Sequence, residues 1–355
     1  MKLKLSFLDM SLTLFLISIF SVSALAKTNP VPPNGGQLHL GATQGYFNST
    51  ENFSTSGGGF SSLPKDGKYE VFNTTFLVDY DFSRSWRVTS DFNAINVSAS
   101  NSSYSHSNFH LGELGLGGEA WADLGPLPFV FHTRLGVPLF EPDLLDSSSF
   151  GSDGAMNAEL GVLMRPKFSR IQGKFGLSAL WRGNNLSTLL PWTAGAALSL
   201  PVGQIGGGVR GFQTLISDSE STAERTKRSN AITNGQAGSF AELTTDPELM
   251  QFYLESRWGL VRNLDFSTDM SYDFNGKTYA KGYYIGIGLH WLIDFGSASL
   301  TQDSSGKSFE VKKKNYEKSL FEKANPTRRP EPKPVRKRQK SIKQLLDETE
   351  DSLEP

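Results

Sequence analysis

The sequence predicts an all-β protein, an up-and-down antiparallel transmembrane β-barrel of about twelve strands. Three observations lead to this prediction. Apolar and polar residues alternate in about twelve segments, the connections between segments alternate between short and long, and aromatic residues lie near both ends of the segments. A hydrophobic content of 38% suits a membrane barrel, because only every second residue of a strand contacts lipid.

The N-terminus predicts export. Lys2 and Lys4 precede the apolar run Met10–Ala24, and Ala24-Leu25-Ala26 has the small residues of a cleavage site. We interpret residues 1–26 as a signal peptide; the alternative, a membrane anchor, needs a longer apolar run. Residues 27–36 are a Pro/Gly-rich leader, and no later run is long enough for a transmembrane helix. The absence of cysteine excludes a disulfide scaffold.

The barrel is predicted over residues 37–296. Glycine dilutes the alternation in the first and ninth segments, and each segment has about the length that a tilted strand needs to cross a bilayer. The predicted strands are Gln37–Phe47, Tyr69–Phe82, Trp86–Val97, Phe109–Ala122, Leu127–Leu139, Ala155–Met164, Ile171–Trp181, Trp192–Leu200, Ile205–Leu215, Leu249–Trp258, Leu264–Phe274 and Tyr283–Phe295.

The connections predict which end of the barrel is which. Short ones are expected to be periplasmic turns, and longer ones outer loops, so that both termini are periplasmic. Loop 216–248 is interpreted as a mobile surface loop, with an inward-folding gate as the alternative. The short connections are 83–85, 123–126, 165–170, 201–204 and 259–263, and the longer ones are 48–68, 98–108, 140–154, 182–191, 216–248 and 275–282.

Aromatic residues predict two belts that flank an apolar band. A secreted soluble β-sandwich with an aromatic core is the alternative, since it also has many short alternating strands. The turn-end belt comprises Phe82, Trp86, Trp258, Trp291 and Phe295, and the loop-end belt comprises Phe47, Phe140, Trp181, Trp192, Phe274 and Tyr283.

The segment from residue 37 to 295 resembles a Gram-negative outer-membrane β-barrel protein of the porin-like kind. Its last strand, Gly288–Phe295 (GLHWLIDF), resembles the signal that the barrel insertion machinery reads, although here about sixty residues follow it. The resemblance implies an outer-membrane location, with membrane lipid and the insertion machinery as partners.

Strand parity predicts the residues that face the lumen. In Leu264–Phe274, for example, the apolar residues share one face and three aspartates share the other. The predicted pore-lining residues are Arg87, Asp91, Glu113, Glu119, His132, Arg134, Glu159, Lys174, Arg210, Glu255, Arg257, Asp265, Asp269, Asp273 and His290, with Asp294 on the same parity.

Two interpretations of this lumen stay open. The charges line a narrow, wet, passive pore for small polar solutes, with cations favoured by the excess of acids, or they pair into a plug that only stabilises the barrel. Lumenal glycines such as Gly115 and Gly176 leave space and favour the pore, unless they only relieve curvature.

No enzyme, cofactor or metal is predicted. A third alternative is a hydrolase that resembles outer-membrane phospholipases and uses His106 and Ser107. The two residues are adjacent, so on a strand they face opposite sides, which is unfavourable for a proton relay. The five histidines are scattered, without metal-ligand spacing.

Residues 297–355 form a different segment, with 14 Lys/Arg and 10 Asp/Glu. Residues 325–340 are basic and Pro-rich, and Ser341–Leu353 predicts a short amphipathic helix. We expect a periplasmic tail that binds the cell wall or a periplasmic protein, or a disordered tail. Because of the compartment, nucleic-acid binding is not expected. An anchoring protein that acts through this tail is the alternative to the pore.

Overall fold

The computed structural model describes residues 32–124 and 127–295, and these residues form a closed antiparallel barrel of twelve long strands. The predicted fold class is therefore confirmed. In chain order the strands are β1 Gln37–Phe53, β2 Lys68–Asp81, β3 Trp86–Ser100, β4 Ser105–Leu124, β5 Leu127–Pro138, β6 Asn157–Met164, β7 Ile171–Arg182, β8 Thr188–Leu200, β9 Gly203–Ile216, β10 Glu248–Val261, β11 Leu264–Lys277 and β12 Ala280–Asp294.

Each strand pairs with the next along the chain, and β12 pairs with β1 from Gln37↔Asp294 to Asn52↔Ala280. Closure matters because an open sheet would leave unpaired N–H and C=O groups in hydrocarbon. Two short strands, Phe60–Ser62 and Lys167–Phe168, extend the first and the sixth connections. The predicted signal peptide, residues 27–31 of the leader and the tail 297–355 lie outside the described residues.

The exterior of the barrel is apolar. On β12 the side chains of Tyr283, Ile285, Ile287, Leu289 and Trp291 are each 40% to 55% exposed. On β11, Met270 and Tyr272 are exposed in the same way, whereas Asp273 between two outward residues is 2% exposed. Such a surface is stable in lipid and not in water, because the polar side chains of each strand face the interior and the apolar side chains face outward.

No helix in the described part of the chain has the length and apolar character needed to span a bilayer.

The aromatic belts form with two exceptions. At the turn end Phe82, Trp86, Trp291 and Phe295 are exposed, and at the loop end Trp181, Phe274 and Tyr283 are exposed. Trp258 and Trp192 are partly exposed. Phe47 was predicted for the loop-end belt. That prediction is wrong, because the parity of Phe47 on β1 points its side chain into the lumen.

Phe140 is the second exception. It follows the end of β5, where the chain turns inward, and its ring lies 4.0 Å from the ring of the buried His110.

Several outer connections are shorter than predicted. Connection 98–108 shrinks to residues 101–104, and connection 275–282 shrinks to Thr278-Tyr279. The reason is that hydrogen-bonded pairs such as Glu248↔Lys277 continue beyond the apolar band, where lipid no longer requires alternating side chains.

The loop end of the barrel is covered by two loops, residues 139–156 and 217–247, which we call the cap. The second loop contains helix α1, Thr222–Asn234, which begins with a capping box between Ser221 and Glu224. Beyond α1 the chain enters the barrel mouth, and Ala237 packs in one cluster with lumenal residues of β2 and β3 and with Phe150 of the first loop. The preferred surface-loop interpretation is therefore wrong, and the loop folds inward.

Hydrogen bonds hold the cap to the barrel. The Asn52 side chain donates to the Gly238 carbonyl at 2.7 Å and accepts from the Phe240 N–H at 2.9 Å. The Tyr104 hydroxyl accepts from the Ala237 N–H at 2.9 Å and donates to the Thr233 carbonyl at 3.1 Å. These bonds satisfy backbone groups that the loop buries against the mouth.

Candidate pore lumen

A cavity of about 670 Å³ runs along the barrel axis. Gln37, Arg262 and Asn263 line it at the turn end, and Glu242 and Thr244 of the cap line it at the other end. Its wall holds ten carboxylates and seven Arg or Lys side chains, so acidic groups are in excess.

The residues predicted to line a pore lie inside the barrel. Fourteen of the fifteen border the cavity, and Glu255 contacts one of them, Lys174. That they line a conducting pore stays a prediction. The fourteen are Arg87, Asp91, Glu113, Glu119, His132, Arg134, Glu159, Lys174, Arg210, Arg257, Asp265, Asp269, Asp273 and His290.

One ion pair bridges non-adjacent strands. Lys174 Nζ on β7 lies 2.9 Å from Glu255 Oε2 on β10, and both side chains are less than 8% exposed. The pair reaches over β8 and β9, where Gly195 and Gly208 pair with each other. A Cβ atom on Gly195 would overlap the hydroxyl of Tyr253, and one on Gly208 would overlap the backbone of β8. Lys174 and Arg210 both lie over the ring of Tyr253, at 5.4 and 5.2 Å from its centre.

The same arrangement occurs across β4. Arg134 of β5 donates to both carboxylate oxygens of Asp91 on β3, its Nε at 3.0 Å, and also contacts Glu113. Gly115 lies beneath this group, and a Cβ atom there would overlap Arg134 and Asp91. A bidentate guanidinium–carboxylate contact fixes geometry as well as charge.

Lumenal glycines therefore have a different role from the one predicted. The space above Gly115 and Gly195 is filled by side chains that reach over from other strands. At these positions the side chains narrow the lumen, and the wall is packed. Parity alone does not show this, because it gives the face of each residue and not the reach of its neighbours.

A hydrogen-bonded chain continues along β9 to β11. Arg210 Nε donates to Gln251 Oε1 at 2.5 Å, and Arg210 Nη1 lies 3.1 Å from Asp269 Oδ2. Gln251 Nε2 donates in turn to Asp273 Oδ1 at 2.8 Å. These buried charges are thus compensated by partners, as a low-dielectric wall requires.

The turn end of the lumen holds a second buried network. Arg87 Nε donates to Asp81 Oδ1 at 2.6 Å, Arg87 Nη1 lies 3.5 Å from Glu119, and His39 Nε2 lies 3.0 Å from Asp81 Oδ2. Asp81 and His39 were missed by the sequence prediction. Their parity on β1 and β2 could have identified them as lumenal residues, but glycine dilutes the alternation of β1.

The remaining predicted residues form pairs of their own. His132 Nε2 lies 3.3 Å from Glu159 Oε1, and His290 Nε2 lies 2.9 Å from the Ser267 hydroxyl. Arg257 Nε donates to Asp265 Oδ2 at 2.8 Å, across the turn between β10 and β11. The two residues pair diagonally, because the ladder sets Arg257 opposite Ser267.

The hydrolase alternative has no support in the geometry. His106 and Ser107 follow each other on β4, so their side chains point to opposite faces, and no proton relay joins them. Among the described residues, no group of three or more His, Asp or Glu is placed to hold a metal ion.

Near the cap the lumen wall changes from charged to apolar. Leu189, Phe212 and Leu249 form a buried cluster, with Leu180 and Tyr279 packed against it. Glu242 of the cap faces this region from above. Burial, followed by the negative charge of Asp153, raises the pKa of Glu242 to about 8. No sequence signal marked Glu242, because only the inward fold of the loop brings it there.

The sequence matches no protein-family profile and no curated protein sequence. Solved structures do match. The COG4313 outer membrane channel from Pseudomonas putida F1 superposes with a TM-score of 0.57 at 10% identity, over 75% of this chain and 100% of that one. The NanC porin gives 0.42 at 8% identity, over 71% and 98% of the two chains. The translocator domain of the autotransporter NalP from Neisseria meningitidis gives 0.39 at 13%, over 76% and 92%.

At 10% identity the likeness to the COG4313 channel shows the fold. A closed barrel with an apolar exterior and a polar interior is the fold of Gram-negative outer-membrane β-barrel proteins, as predicted. Recognition of Gly288–Phe295 by the insertion machinery stays a prediction; in the structure this segment belongs to the closing strand β12.

Proposed function

We propose that the protein is a narrow, capped pore that passes small polar solutes passively across the outer membrane, with a preference for cations. The observation that carries this proposal is the cavity along the barrel axis, which extends from the turn-end rim to the underside of the cap. A barrel that served only as an anchor needs no such cavity.

The wall supports the proposed size and charge preference. Bridging side chains such as Lys174 and Arg134 narrow the lumen, so only small solutes fit. Besides Glu242, whose pKa is raised, nine carboxylates lie against seven basic side chains and leave the wall acidic, which favours cations.

The cap supports gated passage. Residues 236–247 occupy the outer mouth and are held by Asn52 and Tyr104, so a solute enters when these contacts open. Lid motions of this kind occur on microsecond to millisecond timescales. The fold likeness to a solved outer membrane channel also supports a pore.

A second function is favoured by a different observation. Most lumenal charges are already paired, as a filled barrel that acts as a membrane anchor would require. In that case the tail 297–355 would carry the function through a cell-wall or periplasmic partner.

Single-channel recording in a planar bilayer tests the choice, with the full chain and with a variant that lacks residues 297–355. The pore proposal expects discrete current steps with cation preference in both proteins. A protein that migrates as a folded, heat-modifiable barrel and gives no steps in either form would overturn it in favour of the anchor. Steps that appear only without the tail would make the tail a plug of the pore.

A further inference from the structure

The part of the cavity directly under the cap differs from the rest of the lumen. We call it the upper chamber. One wall is formed by Leu180, Leu189, Phe212, Leu249 and Tyr279, and the opposite wall is formed by Phe47, Val71 and Ile95. A chamber with mostly apolar walls and a few polar groups is the usual form of a small-molecule site.

One carboxylate enters this chamber without a cationic partner. Glu242 makes no ion pair with any described residue. The ionisable groups that face it are Tyr69, whose hydroxyl favours the charged form of Glu242, Tyr279 and Asp153. None of them is a cation, and Asp153 is itself paired with Arg182 at 3.5 Å. To ionise a carboxyl group without a cationic partner in a mostly apolar chamber is costly, and a cationic ligand would remove that cost.

A second polar group is left unpaired on the opposite side. Asn73 borders the cavity, is 1% exposed, and neither its amide nitrogen nor its amide oxygen has a hydrogen-bond partner among the described residues. Asn73 lies on β2, which is six strands from β8 around the barrel. Asn73 therefore faces, across the lumen, the wall that contains Leu189 of β8. A buried amide without partners indicates that something else hydrogen-bonds to it.

We propose that the upper chamber binds a small organic cation, in which an ammonium group contacts Glu242, a compact apolar body packs between the apolar walls, and a hydroxyl or carbonyl reaches Asn73. The ring of Tyr279 provides a further contact for the ammonium group. This inference deepens the proposed function, on which it rests, by naming the class of solute that the capped pore selects.

The proposal implies a particular pH dependence. Glu242 must be ionised to hold an ammonium group, and burial raises its pKa to about 8. Binding therefore releases a proton below that pH. The apparent affinity should rise by about tenfold per pH unit below pH 8 and level off above it.

The test is calorimetric titration of the detergent-solubilised full chain, which does not depend on conduction. Tyramine hydrochloride is the probe, because it carries an ammonium group, an aromatic body and a hydroxyl; phenethylamine lacks the hydroxyl. Glu242→Gln should weaken tyramine binding by about tenfold or more, since it removes a charge-assisted contact. Glu141→Gln, which removes an exposed cap carboxylate, should leave binding unchanged.

Asn73→Ala gives an independent reading if Glu242→Gln fails to fold. It should abolish the preference of the wild type for tyramine over phenethylamine while phenethylamine binding persists. Tyramine binding that is equal in Glu242→Gln and wild type, or independent of pH, would overturn the site. If the protein conducts but does not bind tyramine, the proposed site is wrong and the proposed pore stands. If it binds tyramine but does not conduct, the proposed pore is wrong and the site stands.

Discussion

Lys174 Nζ lies 2.9 Å from Glu255 Oε2, although two whole strands, β8 and β9, separate the strands that carry them. The contact crosses two strands that carry Gly195 and Gly208, and it ties together parts of the wall that lie three strands apart. It shows how this barrel combines a narrow lumen with compensated charges. Long side chains on separate strands meet above glycines of the strands that lie between them.

Breaking this pair should destabilise the barrel. Because both side chains are buried, Glu255→Gln or Lys174→Met alone leaves an uncompensated partner, at a cost of about 3–5 kcal/mol. The double variant Lys174→Met/Glu255→Leu should recover most of that loss. Urea unfolding, followed by the heat-modifiable shift on gels, measures both effects. Additive losses in the double variant would contradict a direct interaction.

Glycine beneath a bridging pair should not tolerate a side chain. Gly115→Val places atoms where Arg134 and Asp91 lie, so folded barrel should be largely lost or the pair displaced. Gly118→Ala is the matched control, because a Cβ atom there meets nothing closer than 3.6 Å. The yield of heat-modifiable barrel separates the two. Equal yields would show that the wall is loosely packed.

Neutralising a lumenal carboxylate near the turn end should change ion selectivity more than stability. Asp265 is 35% exposed and pairs with Arg257, so Asp265→Asn should cost only about 0–1 kcal/mol. Loss of its charge should lower the cation preference, read from the reversal potential in a salt gradient. Glu70→Gln on β2 removes an equal charge from a residue that does not border the cavity, and should leave the reversal potential unchanged. Identical shifts in both variants would contradict an effect from the lumen wall.

The cap should be released by loss of one side chain. Asn52 makes two hydrogen bonds to the loop, and Asn52→Ala should weaken docking by about 1–3 kcal/mol. Trypsin cleavage in α1, at Arg225, Lys227 or Arg228, should then become several-fold faster. Asn275→Ala, which removes an exposed outer side chain without cap contacts, serves as the control. Unchanged cleavage in Asn52→Ala would show that these bonds do not hold the loop.

The sequence predicts the barrel because lipid enforces a strict alternation, which is why all twelve strands and the faces of residues such as Asp273 follow from parity. It does not predict the bridge from Lys174 to Glu255, since this contact depends on shear and on glycines in two other strands. Phe47 was misplaced because an aromatic residue near a strand end was given more weight than its parity. Glu242 was missed because the inward fold of a long loop depends on contacts distant in sequence, such as those of Asn52.

Single-channel conductance of the wild type and Asn52→Ala in the same bilayer shows whether the cap closes a pore. We expect brief, infrequent steps in the wild type and longer openings of cation-selective current in Asn52→Ala. If both proteins fold as barrels and neither gives a current, the lumen is filled and the cap does not close a pore.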